Sequence, residues 1–175
     1  MPRPPVLPAP SRGKIYVGVD PGQSGGIVAL LGDSISFNPM PSDEASIWNV
    51  FEDISLHASQ SGSTCMALIE SVHAMPKQGV SSSFKFGQNY GFVRACLTAA
   101  HIPFTEITPQ AWQKEAGVMK RTRQHAETRQ QFKARLVVHA QQLFPGKWGG
   151  CRSKSDHLAV ADALLIAYVA RRQNR

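Results

Sequence analysis

The sequence predicts an α/β domain, a mixed five-stranded sheet flanked by helices, on three observations. Three short apolar runs follow one another between Lys14 and Met40 with tight turns between them, as strands of a meander do. Two further strand-like runs, 65–70 and 103–107, are each preceded by a segment with helical spacing. The chain then ends in helical patterns alone. At 175 residues it is long enough to bury a core without staples, so one domain over 14–172 is expected, between a flexible proline-rich tail at 1–13 and a short tail at 173–175.

In order along the chain, the β-branched and aromatic residues from Lys14 to Val19 stop at Asp20-Pro21-Gly22, which reads as a buried strand and a turn. "GGIVALLGDSISFNPM" reads as two more strands joined at Gly32-Asp33-Ser34. Ser42-Asp43-Glu44 has capping character, and Ile47, Val50, Phe51 and Ile54 repeat at helical spacing through about His57. Cys65 to Glu70 is the fourth strand, and like the first it ends on a carboxylate. "SVHAMPKQGVSSS" reads as a polar loop, Phe84 to Ala100 as a helix containing Gly87 and Gly91, and Pro103 to Ile107 as a short strand. Pro109 opens a short helix to Ala116, since proline suits a first turn. Thr122 to Phe144 is a longer basic helix closed by Pro145-Gly146, and the loop "KWGGCRSKS" leads to a final helix from about Asp156 to Arg172.

Composition narrows the classes of function. A formal charge of +7 favours a polyanionic partner, nucleic acid first. Cys65, Cys96 and Cys151 are odd in number and widely spaced, which offers neither a disulfide framework nor a CxxC knuckle and suits a reducing compartment. His125-Ala-Glu127 superficially matches the HxE of zinc deaminases, but no P-C-x-x-C follows, so it reads as chance on a polar helix. The proline-rich start is neither a signal peptide nor a helical presequence, and the longest apolar run, 158–170, is too short to span a bilayer and contains Asp162. A soluble chain is expected, cytoplasmic or nucleoid-associated, with a processed organellar protein as the alternative.

Carboxylates stand at the ends of separate elements: Asp20 after the first strand, Glu70 after the fourth, Asp156 and Asp162 at or in the last helix. An aspartate before Pro-Gly is ordinarily a turn residue, a glutamate at a strand end is readily solvated, and Ser155-Asp156 suits a helix cap. Asp162 is harder to explain structurally, because an unpaired charge within "LAVADALLIAYVA" is costly. If the first and fourth strands are neighbours, Asp20 and Glu70 project together and the last helix brings Asp162 over them. Clustered carboxylates repel unless cations neutralise them, and hard oxygen ligands suit Mg²⁺ or Mn²⁺. Two such ions, about 3.5 to 4 Å apart, activate water and stabilise the leaving oxygen of a phosphodiester.

With "VGVDPGQSGGIVAL", "ALIE" and "DHLAVADALLIA" in this order, the chain resembles the RuvC-like Holliday junction resolvases of the ribonuclease H superfamily. "PKQGVSSSFKFGQNYGFVRACL", "ITPQAWQKEAG" and "LFPGK" are closest in pattern to the chloroplast MOC-type and phage or bacterial branch. The resemblance covers about Lys14 to Ala170. It implies a ribonuclease H-like sheet and a homodimeric, metal-dependent endonuclease that nicks two opposed strands of four-way junction DNA. It also implies two Mg²⁺ or Mn²⁺ ions per active site. Asp20 matches the first-strand aspartate, Glu70 the fourth-strand glutamate and Asp162 the acid of the terminal helix. The fourth ligand is less direct: three residues before Asp162 stands Ala159, whereas Asp156-His157 stands one residue further upstream than the branch pattern. Asp156 is the choice and His157 the alternative. Residues six apart lie about 240° around a helix, so Asp156 must sit at the cap or beyond it to share the site.

For DNA contacts, Lys77, Lys85 and Arg94 flank Phe84 and Phe86, while Arg152 and Lys154 precede the final helix. Lys154 is placed to stabilise the scissile phosphate, and Phe84 or Phe86 to stack on bases at the junction centre, although aromatic residues here serve a core or dimer interface equally well. Arg123 and Arg129 read as a solvated helix face. Two rival readings remain: a ribonuclease H-like nuclease of other branched DNA, and a nucleotide-binding module of the actin or sugar-kinase kind. The second generally needs two such domains, for which this chain is short.

Overall fold

The computed structural model describes residues 13–71, 79–119, 127–151 and 153–174. Most of the proline-rich tail, Lys77, Arg123 and Arg152 lie outside the described residues. The element order is β1 (Lys14–Asp20), β2 (Gly26–Leu31), β3 (Ser34–Pro39), α1 (Glu44–Ser61), β4 (Thr64–Glu70), α2 (Val80–Ala99), β5 (Phe104–Ile107), α3 (Pro109–Glu115), α4 (Arg129–Leu143), a 3-10 turn (Trp148–Gly150) and α5 (Lys154–Gln173). The sheet runs β3-β2-β1-β4-β5, with β1–β3 an antiparallel meander and β4 and β5 added parallel to β1. The expected mixed five-stranded sheet is present, and its strand order is that of a ribonuclease H-like fold.

Alternation along β1 sorts the core onto two faces, because successive side chains point to opposite sides of a sheet. Ile15, Val17 and Val19 pack with Ile47, Phe51 and Ile54 of α1 and Val93 and Leu97 of α2. Tyr16, with Val28 and Leu68 of neighbouring strands, faces Trp112 of α3, Leu136 of α4 and the long apolar side of α5. Helix α5 is buried along most of its length, from Val160 to Ala170, because it lies between the sheet and the helices outside it.

Side-chain caps set the starts of α1, α4 and α5. α1 starts at Glu44 because Asp43 accepts a hydrogen bond from Ser46 N at 2.8 Å, and it ends where Gly62 adopts φ 62°. α2 starts at Val80, so the end of the expected polar loop is helical. α4 starts at Arg129, set by a capping box between Thr128 and Gln131, and the expected start at Thr122 lies outside the described residues. Ahead of it, Glu127 accepts two hydrogen bonds from Arg135, which also donates to Met119 O at 3.0 Å and ties α4 to the chain following α3. α5 starts at Lys154: Ser153 is its cap, and Asp156 lies inside the first turn.

How closely α5 lies on the sheet is decided at Gly18. A Cβ there would stand 2.0 Å from Ala163 O and 2.3 Å from Ala167 N, so helix backbone touches strand backbone. Alanines on the helix and glycine on the strand are what permit that approach. Gly18→Ala is therefore expected to cost about 2 kcal/mol or more. Gly87→Ala, exposed within α2 and with nothing within 4 Å of its new methyl, should instead add about 0.5 to 1 kcal/mol. Urea unfolding of the two variants, compared at constant m-value, checks both signs; a neutral Gly18→Ala would contradict the backbone contact.

Candidate active site

β1 and β4 run parallel and are in register through Val19 and Ile69, so Asp20 and Glu70 follow side by side at the same edge of the sheet. Because Tyr16 and Leu68 face α5, the period of two sends Asp20 and Glu70 to that side as well. Asp162 immediately precedes Ala163, whose carbonyl lies against Gly18, and this places it beside the two strand ends. The three carboxylates sense one another: Asp20 and Asp162 both raise the pKa of Glu70, and Asp20 raises that of Asp162.

The glycines after Asp20 have a specific cause. Asp20 Oδ1 accepts from Gly22 N at 3.1 Å, and Gly25 N closes a turn on Gly22 O at 2.9 Å. A Cβ at Gly25 would lie 2.6 Å from Asp20 Cγ, and one at Gly22 would lie 3.3 Å from Asp20 Oδ1. The turn thus folds directly against the carboxylate, which only glycine allows at position 25. Asn89 of α2 donates to Pro21 O at 2.5 Å and ties this turn to α2.

Glu70 and Asp162 each have a partner that sequence reasoning missed. Trp112 Nε1 donates to Glu70 Oε2 at 2.7 Å. Lys133 Nζ donates to Asp162 Oδ2 and forms an ion pair with it. Burial is the largest influence on Glu70 and, with Asp20 and Asp162, pushes it up to about 7 in spite of the Trp112 hydrogen bond and Lys133. Asp162 is 6% exposed, and burial raises its pKa against the pull of Lys133 and Arg129. Burial alone would lower Lys133, but Asp162, Asp20 and Glu70 together hold it above its usual value, so the ammonium is charged. Lys133 belongs to the basic helix expected to show a solvated face; instead it is largely covered and serves the acids. The available signals were the rule that a buried carboxylate needs a cation and the rule that a buried indole N–H needs an acceptor, neither of which identifies the partner.

No three His, Cys, Asp or Glu side chains among the described residues already stand in cation-binding geometry. Lys133 lies at Asp162 instead. Yet Asp162 Oδ1 is buried without a hydrogen-bond partner among the described residues, and Glu70 is held far above the usual carboxylate range. An all-oxygen donor set with one orphaned oxygen and mutually repelling carboxylates fits a hard divalent cation.

Asp156 is placed otherwise. It is the third residue of α5, where it accepts from Ser153 N at 3.1 Å while Ser153 Oγ accepts from Asp156 N. It therefore lies inside the helix rather than at the cap, and about 240° around the axis from Asp162. His157 packs edge-on against Trp148, which stacks on Phe37 of β3. The structure brings together Asp20, Glu70 and Asp162 and engages Asp156 and His157 in building the start of α5.

Among the DNA-contact candidates, Phe84 is 66% exposed and Lys85 is exposed beside it on α2. Phe86 lies inward, its ring 3.8 Å from where a Gly22 Cβ would be. Arg94 pairs with Glu106 at 3.4 Å and lies over Tyr90 and Phe104, which gives it a structural role on α2 and β5. Lys154 is exposed in the first turn of α5.

The raised Glu70 pKa has a consequence for cation-free protein. Between pH 4.5, the ordinary value, and about 7, the unfolded chain has lost a proton that the fold retains, so stability falls as pH rises through this window. In chelator, the thermal midpoint of Glu70→Gln should fall less across it and exceed that of the wild type by several degrees at pH 7.5. Parallel melting curves for the two proteins from pH 4.5 to 7.5 would remove Glu70 from the buried acid set.

No family model and no curated protein sequence matches the chain. Solved structures do. A Thermus thermophilus RuvC in complex with a Holliday junction substrate superposes with a TM-score of 0.56 at 16% identity, covering 89% of this chain and 91% of that one. A second Thermus thermophilus RuvC structure gives a TM-score of 0.53 at 19% identity, over 91% and 96% of the two chains. The fold of this chain, over nine-tenths of its length, is the RuvC-like fold.

Proposed function

We propose that the chain is a Holliday junction resolvase: a structure-selective endonuclease that makes paired, symmetric nicks in four-way DNA by cation-dependent phosphodiester hydrolysis, in recombination and repair. The observation that carries this reading is the convergence of Asp20, Glu70 and a buried, half-partnered Asp162 at one edge of a RuvC-like sheet. The junction-bound relative of similar fold supports the substrate. Asp20, Glu70 and Asp162 are the oxygen ligands for Mg²⁺ or Mn²⁺. Asp156, committed to the capping box, is left out of the first set. When bound, two such ions supply an activated water and charge for the leaving oxygen.

The chain's own residues do the rest. Gly22 N fixes the Asp20 carboxylate by donating to one oxygen. Lys133, charged and beside Asp162, adds a positive charge where a phosphate would approach, and Arg129 adds another at the start of the same helix. Exposed Phe84 and Lys85 on α2, with Lys154 at the start of α5, supply a stacking surface and phosphate contacts that position DNA without reading its sequence. Paired cuts require two such sites, so the working form is a homodimer.

Labelled four-way junction, duplex, flap and RNA–DNA hybrid, incubated with and without Mg²⁺, test the reading. Symmetric nicks confined to the junction support it, equal cutting of flaps favours a broader branched-DNA nuclease, and ATP turnover without cutting would sink it. Asp20→Asn should reduce nicking to background while junction affinity stays within about threefold of wild type, a difference below 1 kcal/mol. A purified variant cutting at the wild-type rate would falsify the assignment of Asp20.

A further inference from the structure

The indole of Trp112 is completely buried, yet its N–H is aimed at a carboxylate of the proposed site, 2.7 Å from Glu70 Oε2. The local fold explains how it gets there. β5 pairs with β4 so that Ile107 lies opposite Glu70, and Ser71 N donates to Ile107 O at 2.8 Å. The chain then turns at once: Thr108 caps α3 by accepting from Ala111 N at 3.3 Å, and Pro109 starts the helix. Trp112, one turn into α3, is thereby carried back beside the strand end it has just left. It belongs to the same apolar cluster as Leu68, Ala116, Val118, Leu136 and the inner side of α5. Full burial in close packing restricts the side chain's rotation, which holds its donor in place.

An indole N–H donates and does nothing else at neutral pH: it accepts no proton, ligates no cation and carries no charge. Bonded to Oε2, it fixes the plane of the Glu70 carboxylate while leaving Oε1 and the remaining Oε2 lone pair unused by it. We infer that Trp112 is a positioning residue, which orients Glu70 for the divalent cation it shares with Asp20 and Asp162. This inference rests on the cation-dependent nuclease reading. Partners of ligating carboxylates typically change cation affinity about 10- to 100-fold when removed, without themselves touching the cation.

The test compares wild type, Trp112→Phe and Glu70→Ala in the full chain. Mn²⁺ binding is measured by calorimetry without DNA, junction nicking is titrated against Mn²⁺, and melting is recorded in chelator. Trp112→Phe should weaken Mn²⁺ binding about tenfold and shift the half-saturating concentration for nicking equally, with most of the rate recovered at saturation. A residue that only packs the core would lower the melting temperature and leave both Mn²⁺ values in place; that result, within twofold of wild type, overturns the proposal. Should Trp112→Phe fail to fold, a benzothienylalanine at position 112 keeps the ring shape and replaces the N–H by sulfur, and the same two outcomes decide. If Glu70→Ala binds Mn²⁺ like wild type, the site reading itself fails and the Trp112 role falls with it. If Glu70→Ala loses binding while Trp112→Phe does not, only the Trp112 role is lost.

Discussion

A carboxylate inside an apolar helix governs this structure. Asp162, flanked on α5 by Ala161, Ala163 and Leu164, is almost fully buried, and a charge in such a place is tolerated only with a cation beside it. Lys133 meets that demand, and the rest follows from bringing the two together. Helix α4 must lie along α5 with Phe132, Leu136 and Ala140 turned inward, so that the residue next to Phe132 reaches Asp162. α5 in turn must press onto β1 closely enough for Asp162 to reach the strand ends, and Gly18 is the position that allows it. The acidic edge therefore sits where the packing is tightest.

The acid cluster and the proposed DNA contacts are built to different standards. The acids are held by short-range devices: the glycine turn around Asp20, the indole at Glu70 and the ammonium at Asp162. The proposed DNA contacts are not. Phe84 and Lys85 extend from α2 with little around them, and Gly87 and Gly91 on the same helix have open space where a side chain would be. That division suits an enzyme of structured DNA, in which the reacting phosphate must be met by fixed groups while the arms of the substrate are accommodated by side chains that adapt. The turn after Asp20 joins the two regions, because Asn89 bonds to Pro21 and Phe86 approaches Gly22 from α2.

Much of this was legible in the sequence where the signal was local. Strand period and turn residues placed β1 to β4 within a residue or two, and Asp20, Glu70 and Asp162 stood out because each interrupts an apolar run at an element end or within one. What was not legible depended on partners far along the chain. Lys133 lies 29 residues from Asp162, and in the sequence it is one of several cations on a polar-looking helix. Trp112 lies 42 residues from Glu70 and reads as an ordinary helix residue. Asp156 is a different case: Ser153 followed three residues later by an acid is a capping box, visible locally, and reading Ser155-Asp156 as the cap moved the helix start by two residues. That small shift decides which face Asp156 is on, and with it whether the residue belongs to the site.

Charge counting connects the cation-free form to the proposed activity. Three carboxylates and the Lys133 ammonium leave a formal charge of −2 before Arg129 is counted, a remainder that divalent cations would offset. Without them, the fold lowers the charge by holding a proton on Glu70 up to about pH 7 and by raising Asp162 as well. A cation that binds the folded site and not the unfolded chain then stabilises the protein by mass action as it displaces that proton. Under the proposed function, binding and deprotonation would be one linked event, and Lys133 would temper both: it makes the ionised Asp162 tolerable in the cation-free fold, and by occupying Oδ2 it leaves Oδ1 as the oxygen still to be satisfied. In the proposed mechanism, the same ion pair that lets a charge be buried would also limit how strongly the site attracts a cation before a phosphate arrives.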